Sequence, residues 1–170
     1  MPDQPRVLES LPEHQPHREE STNHRLRVEG LVRKPLELAG RDLDRLPRVT
    51  LAEDFACDEG WTAPEQRWSG VSVEDLLAAA EVAGDGAYVE FAAGDFRFTI
   101  PLEEAKHALV AVQLNDRPLS HLHGGPSRLV VPGAACFTSI KWLDRILVRD
   151  TPGVNTAEAI ARARLAVQET

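Results

Sequence analysis

The chain has 170 residues, 42% of them hydrophobic, and a net charge of −8. That length and apolar content suit one compact core, and the acidic balance excludes the basic footprint of a nucleic-acid-binding surface. Two cysteines make no disulfide framework, no apolar run is long enough to span a membrane, and no secretory h-region is legible near the start. A cytoplasmic protein with reduced thiols is therefore expected.

Residues 1–25 form a polar arm carrying His14, His17 and His24, without period, and are expected to wrap the surface or to be partly loose. Residues 26–150 read as the domain proper and residues 151–170 as a C-terminal helix belonging to it. Residues 26–29 alternate like a strand and stop at Gly30; Pro35 and Gly40 punctuate the stretch after it, and residues 42–46 read as a helical turn before Pro47. Val49, Leu51 and Phe55 mark a strand that ends at Cys57, and residues 60–71, with Trp61, Pro64 and Trp68, read as a loop. Ser72 caps a helix over 73–82, with Asp75 three positions on and Val73, Leu76, Leu77 and Ala80 on its buried face.

Next comes a hairpin, residues 88–91 and 96–100 around Gly94-Asp95. Pro101 suits the first position of a short helix reaching His107. Residues 109–114 form an apolar strand stopped by Asn115-Asp116, residues 129–131 a short one, and residues 140–148 a longer one. The last helix runs over 156–167 with Asn155 as its cap. Strands outnumber helices and do not alternate with them. The class is α+β: a mixed barrel-like or sandwich-like β core with a few peripheral helices.

Three segments carry chemistry. Cys57-Asp58-Glu59-Gly60-Trp61, with Trp68-Ser69-Gly70-Val71 behind it, puts a thiol where a strand turns into a loop. There it is either a core residue or a ligand or nucleophile presented to a site. His123-Gly124-Gly125-Pro126-Ser127-Arg128 is a tight loop of little bulk, flanked by an imidazole and a guanidinium able to fork onto phosphate. Ser139-Ile140-Lys141-Trp142 adds a mobile positive charge.

With Leu-Asn-x-x-Pro-Leu at 114–119, these segments make the chain resemble the oxidoreductase molybdopterin-binding domain of the sulfite oxidase family, short prokaryotic type, over residues 26–148. The resemblance implies that fold and a molybdenum–molybdopterin cofactor. Cys57 matches the cysteine that ligates molybdenum and serves as the catalytic position. His123 and Arg128 match residues that contact the pterin and its phosphate; Ser139, Ile140 and Lys141 match a segment that closes on the same cofactor. The reaction implied is two-electron oxygen-atom transfer on a small oxoanion or an S- or N-oxide. A separate electron carrier is expected, because no haem or flavin motif is present; oligomerisation is left open.

The departures are specific. Val112 aligns with a tyrosine of sulfite-oxidising relatives, so animal-type sulfite oxidation is not expected. Cys136 stands where relatives usually have glycine, and reads as a small buried residue or as one that crowds the pocket. The family's upstream pterin-holding loop is not legible before Leu26, Asn23-His24 being a poor match, and no segment matches the sulfite oxidases' C-terminal dimerisation domain. These departures support the alternative, a non-catalytic module of the same fold that binds a ligand or a partner protein.

Among the remaining residues, Trp61 and Trp68 read as packing platforms, Trp142 as core and His121 as surface. His14, His17 and His24 do not make a metal site. Asp58 and Glu59 read as loop-capping or water-facing rather than as an acid–base pair, and nothing in the pattern places Arg97 in the pocket.

Overall fold

The computed structural model describes residues 4–12, 19–57 and 59–168. In chain order the elements are β1 Arg6–Val7, β2 Leu26–Gly30, β3 Leu36–Leu38, α1 Gly40–Leu43, β4 Val49–Cys57, β5 Trp61–Ser72, α2 Val73–Ala80, β6 Tyr88–Ala93 and β7 Phe96–Pro101. They continue with α3 Leu102–Ala105, β8 Leu109–Leu114, β9 Arg117–Pro118, β10 Arg128–Val130, a 3-10 turn Cys136–Thr138, β11 Arg145–Arg149 and α4 Ala157–Gln168.

The strands form two mixed sheets and no closed barrel. The first has the order β1-β5-β8-β10, with β4 on the other edge of β5 and β9 extending β8. The second has the order β3-β2-β11-β6-β7, and β11 runs parallel to β2 and antiparallel to β6. Because side chains alternate along a strand, β8 splits its residues between two cores. Val110 enters the main core with Val71, Leu129, Phe91 and Ile146. Leu109 and Ala111 enter a second cluster with Phe55, Trp61, Trp68 and Val130. Cys57 and Cys136 pack against this second cluster.

Local chemistry explains most boundaries. Ser72 Oγ accepts the Asp75 N–H at 3.0 Å and so caps α2 as the sequence suggests. The hairpin β6–β7 forms around Gly94-Asp95 as expected, with Ala93 paired to Phe96.

Four expectations change. Residues 61–72 are a strand rather than a loop. Pro64 is tolerated because the pairing of β4 with β5 slips between Glu53 and Phe55, opposite Pro64-Glu65, and proline is accommodated at such irregularities. Residues 140–144 are not strand: Trp142 has φ +55°, and its N–H turns to the Gly124 carbonyl at 3.1 Å while the Leu143 N–H goes to Ser127. Asn155 does not cap α4; its side-chain oxygen accepts the Thr99 N–H of β7 at 2.6 Å. The described part of the arm is anchored rather than loose. β1 pairs with Trp61-Thr62, and Leu11 is buried in the second cluster. His14 and His17 lie outside the described residues.

Candidate functional site

The 3-10 turn and the residues after it organise the site. The Leu129 N–H bonds to Ile140 O, so β10 and the segment following the turn lie side by side. Gly124 has φ +102°, and a Cβ there would meet Lys141 at 2.8–3.0 Å; a Cβ at Gly125 would meet Leu119 O at 2.2 Å. Only glycine lets the 123–128 loop approach both neighbours this closely. The Gly125–Pro126 peptide is cis.

Arg128 stands at the centre. It is buried, with its guanidinium carbon 5.4 Å from the centroid of Phe55 and 5.1 Å from that of Trp68. Its Nε donates to Ser139 Oγ at 2.8 Å and its Nη1 to the His123 carbonyl at 2.8 Å. A guanidinium has five N–H donors, so more than half of its capacity is left over. Among the described residues no carboxylate pairs with it, and burial pushes its pKa down to about 9, which still leaves it charged at neutral pH. Beside it, the Trp68 indole N–H is buried with no hydrogen-bond acceptor among the described residues. A buried cation without a counter-ion and a buried donor without an acceptor together define a demand for an anionic, acceptor-rich group.

The other sequence-derived residues surround this centre. Ser139 is half-buried and accepts from Arg128; Ile140 is buried in the main core, with its backbone carbonyl on β10. Lys141 Nζ donates to Leu122 O at 2.7 Å and lies 5.8 Å from the Trp142 ring centroid. His123 Nε2 donates to Leu11 O at 2.9 Å, which ties the arm to the loop. Cys57 ends β4 two residues after Phe55, the ring that Arg128 covers.

Cys57 is joined to Cys136 in a disulfide, with the two Cα atoms 5.2 Å apart. This corrects the expectation of reduced thiols, and with it the reading of Cys136 as a simple small residue. The 3-10 turn carries Cys136 to the end of β4, a proximity that 79 residues of separation conceal.

The structure also places residues that the sequence reading set aside. His24 Nε2 donates to Leu143 O at 2.9 Å and lies 3.2 Å from Ser127 Oγ, so the segment before β2 does reach the loop. Trp142 is half-buried rather than core: its Nε1 donates to His121 O, and the two rings are 5.1 Å apart. Both residues line a polar cleft of about 760 Å³ with Arg25, Arg27, Gly125 and Arg145. Glu59 accepts from Trp61 Nε1 at 2.9 Å, while Asp58 lies outside the described residues. Arg97 stands 3.9 Å from the buried Glu90. No cluster of three or more metal-ligating side chains is found among the described residues.

The family model described as the oxidoreductase molybdopterin binding domain matches residues 13–157. The chain belongs to this family. The molybdopterin-binding domain relatives include an uncharacterized oxidoreductase of Bacillus subtilis, YuiH, 34% identical over 75% of this chain and 66% of that one. A nitrate reductase [NADPH] of Fusarium oxysporum is 28% identical over 75% of this chain and 17% of its own length. The mitochondrial sulfite oxidase of Drosophila melanogaster is 34% identical over 49% of this chain and 17% of its own length. Among solved structures, the sulfane dehydrogenase SoxCD of Paracoccus pantotrophus matches with a TM-score of 0.74 and 28% identity, over 81% of this chain and 41% of that one. The chain thus spans less than two thirds of each of these relatives. The family's cofactor is molybdopterin, and the uncompensated Arg128 with the orphaned Trp68 N–H suits a phosphate-bearing pterin. No helix of the described residues is long and apolar enough to cross a membrane.

Proposed function

We propose that this chain is a molybdenum–molybdopterin oxidoreductase that catalyses two-electron oxygen-atom transfer on a small oxoanion or an S- or N-oxide. The observation that carries the reading is the buried, unpaired Arg128 guanidinium beside the cluster that holds Cys57. When bound, the cofactor would supply a metal that exchanges an oxygen atom and two electrons with substrate.

The chain's own residues do the holding. Arg128 offers its unused N–H donors to phosphate, and Ser139 fixes its orientation through Nε. Trp68 Nε1 offers a further donor. Lys141 adds positive charge, His123 and the Ile140 backbone frame the loop, and Cys57, once reduced, provides a thiolate of the soft type that molybdenum favours. The names of two relatives point to nitrate and sulfite, both small oxoanions, which supports that class of substrate. Electrons would pass to a separate carrier.

The experiment is metal analysis of protein made in a cofactor-producing host, with a dye-linked screen of oxoanions and oxides. Near one molybdenum per chain is expected, with turnover abolished and the fold kept in Cys57→Ser. A well-folded, fully reduced protein without molybdenum would sink the reading. One observation favours the non-catalytic module instead: in the disulfide, Cys57 has no thiolate to offer. The same assay separates the two.

A further inference from the structure

The segment 136–139 does two things at once. Cys136 reaches Cys57, and three residues later Ser139 Oγ receives Arg128 Nε at 2.8 Å. The turn between them is closed by its own bonds, Thr138 Oγ1 to Ala135 O at 2.7 Å and the Ser139 N–H to Cys136 O at 3.0 Å, and α4 packs against it. Both cysteines are partly buried residues, and residues 132–135, which lead into the turn, are exposed. The Cα separation of 5.2 Å is that of ordinary disulfides, so both oxidation states are reachable without moving the backbone.

A metal takes a thiolate, not a disulfide sulfur. Oxidation of this pair and ligation by Cys57 therefore exclude one another.

We propose that Cys57 and Cys136 form a reversible dithiol–disulfide pair that controls cofactor loading: oxidised, it keeps the site closed to molybdenum; reduced, it frees Cys57. This rests on the reading of Cys57 as the metal ligand. The reductant is a dithiol, small-molecule or protein. One of its thiolates attacks a sulfur of the pair, the Cys57–Cys136 bond breaks, and a mixed disulfide forms. Its second thiol resolves that intermediate. Two electrons pass to the pair, two protons accompany them, and the dithiol leaves as a disulfide. In the loaded protein Cys136 is a free thiol beside an occupied Cys57.

The test compares wild type, Cys136→Ser and Cys136→Ala, each produced in a cofactor-making host in a reducing and in an oxidising compartment. Two quantities are read: molybdenum per chain, and intact mass after alkylation of the native protein. The inference expects metal-free wild type from the oxidising compartment to take no alkyl group before dithiothreitol and two afterwards, and to hold at least tenfold less molybdenum than the reduced preparation. Both variants should hold near one molybdenum per chain from either compartment. Loaded wild type should take one alkyl group, on Cys136. Equal molybdenum in wild type from both compartments, or two free thiols in the oxidised preparation, overturns the gate and leaves the cofactor reading standing. No molybdenum in any reduced preparation overturns both.

Discussion

Replacing Arg128 by methionine separates a residue reserved for a ligand from one that holds the fold. The depression of its pKa to about 9 by burial corresponds to about 5 kcal/mol of cost for keeping the charge buried. Opposing it are two charge-assisted hydrogen bonds, about 1.5–3 kcal/mol each, and two aromatic faces, about 0.5–1 kcal/mol each. The two sides nearly cancel. Methionine keeps an unbranched apolar stem against Phe55 and Trp68, and Ser139, being half-buried, can turn to water. The urea-derived stability of the metal-free protein should thus change by no more than about 2 kcal/mol. Molybdenum per chain should nevertheless fall at least tenfold, because the proposed phosphate anchor is gone. A loss of about 4 kcal/mol or more with molybdenum content unchanged would refute the reasoning, since Arg128 would then be an ordinary structural cation.

Two further outcomes rest on the geometry. Gly124→Ala combines a left-handed backbone at φ +102° with a Cβ 3.0 Å from Lys141 Cα, and should lower stability by about 2–4 kcal/mol in urea titration; less than about 1 kcal/mol would contradict the close approach. Burial raises the pKa of Glu53, whose carboxylate accepts from the Gly133 backbone. Its charged form therefore destabilises the fold above the carboxylate range, and this cost fades as pH falls through the folded and then the unfolded pKa. Glu53→Gln should be the more stable protein at neutral pH, by a margin that closes below about pH 4, as read from thermal unfolding across pH; a margin that widens at low pH would show the sign to be wrong.

Much of the framework was legible because local rules and burial agreed. Alternation along 49–57 marks β4, Ser72 marks the start of α2, and Gly94-Asp95 marks the β6–β7 turn. What escaped was set by partners distant in sequence. Pro64 signals a loop locally, but an irregularity on the neighbouring strand absorbs it. Residues 140–144 have a strand's composition, yet their backbone groups bond to the 124–128 loop, which forces Trp142 into the left-handed region. Leu11 lies in a polar stretch, and its burial depends on β1 docking beside β5. Around the candidate site, Cys57, the loop and the cations stand out by residue type. The disulfide and the ionic isolation of Arg128 are properties of three-dimensional neighbourhood and leave no mark in spacing.

The placement of β11 bears on how the molecule comes into being. The strand at the middle of the second sheet is the last of its five to be synthesised, and it slots between β2 and β6. Until the ribosome has delivered residues 145–149, both of those strands present bare edges, an invitation to mispairing. The stretch that feeds into it, 140–144, is also the one whose backbone secures the glycine loop. Closing the sheet and securing the glycine loop are thus one event late in biogenesis, and a nascent chain arrested before that point has neither.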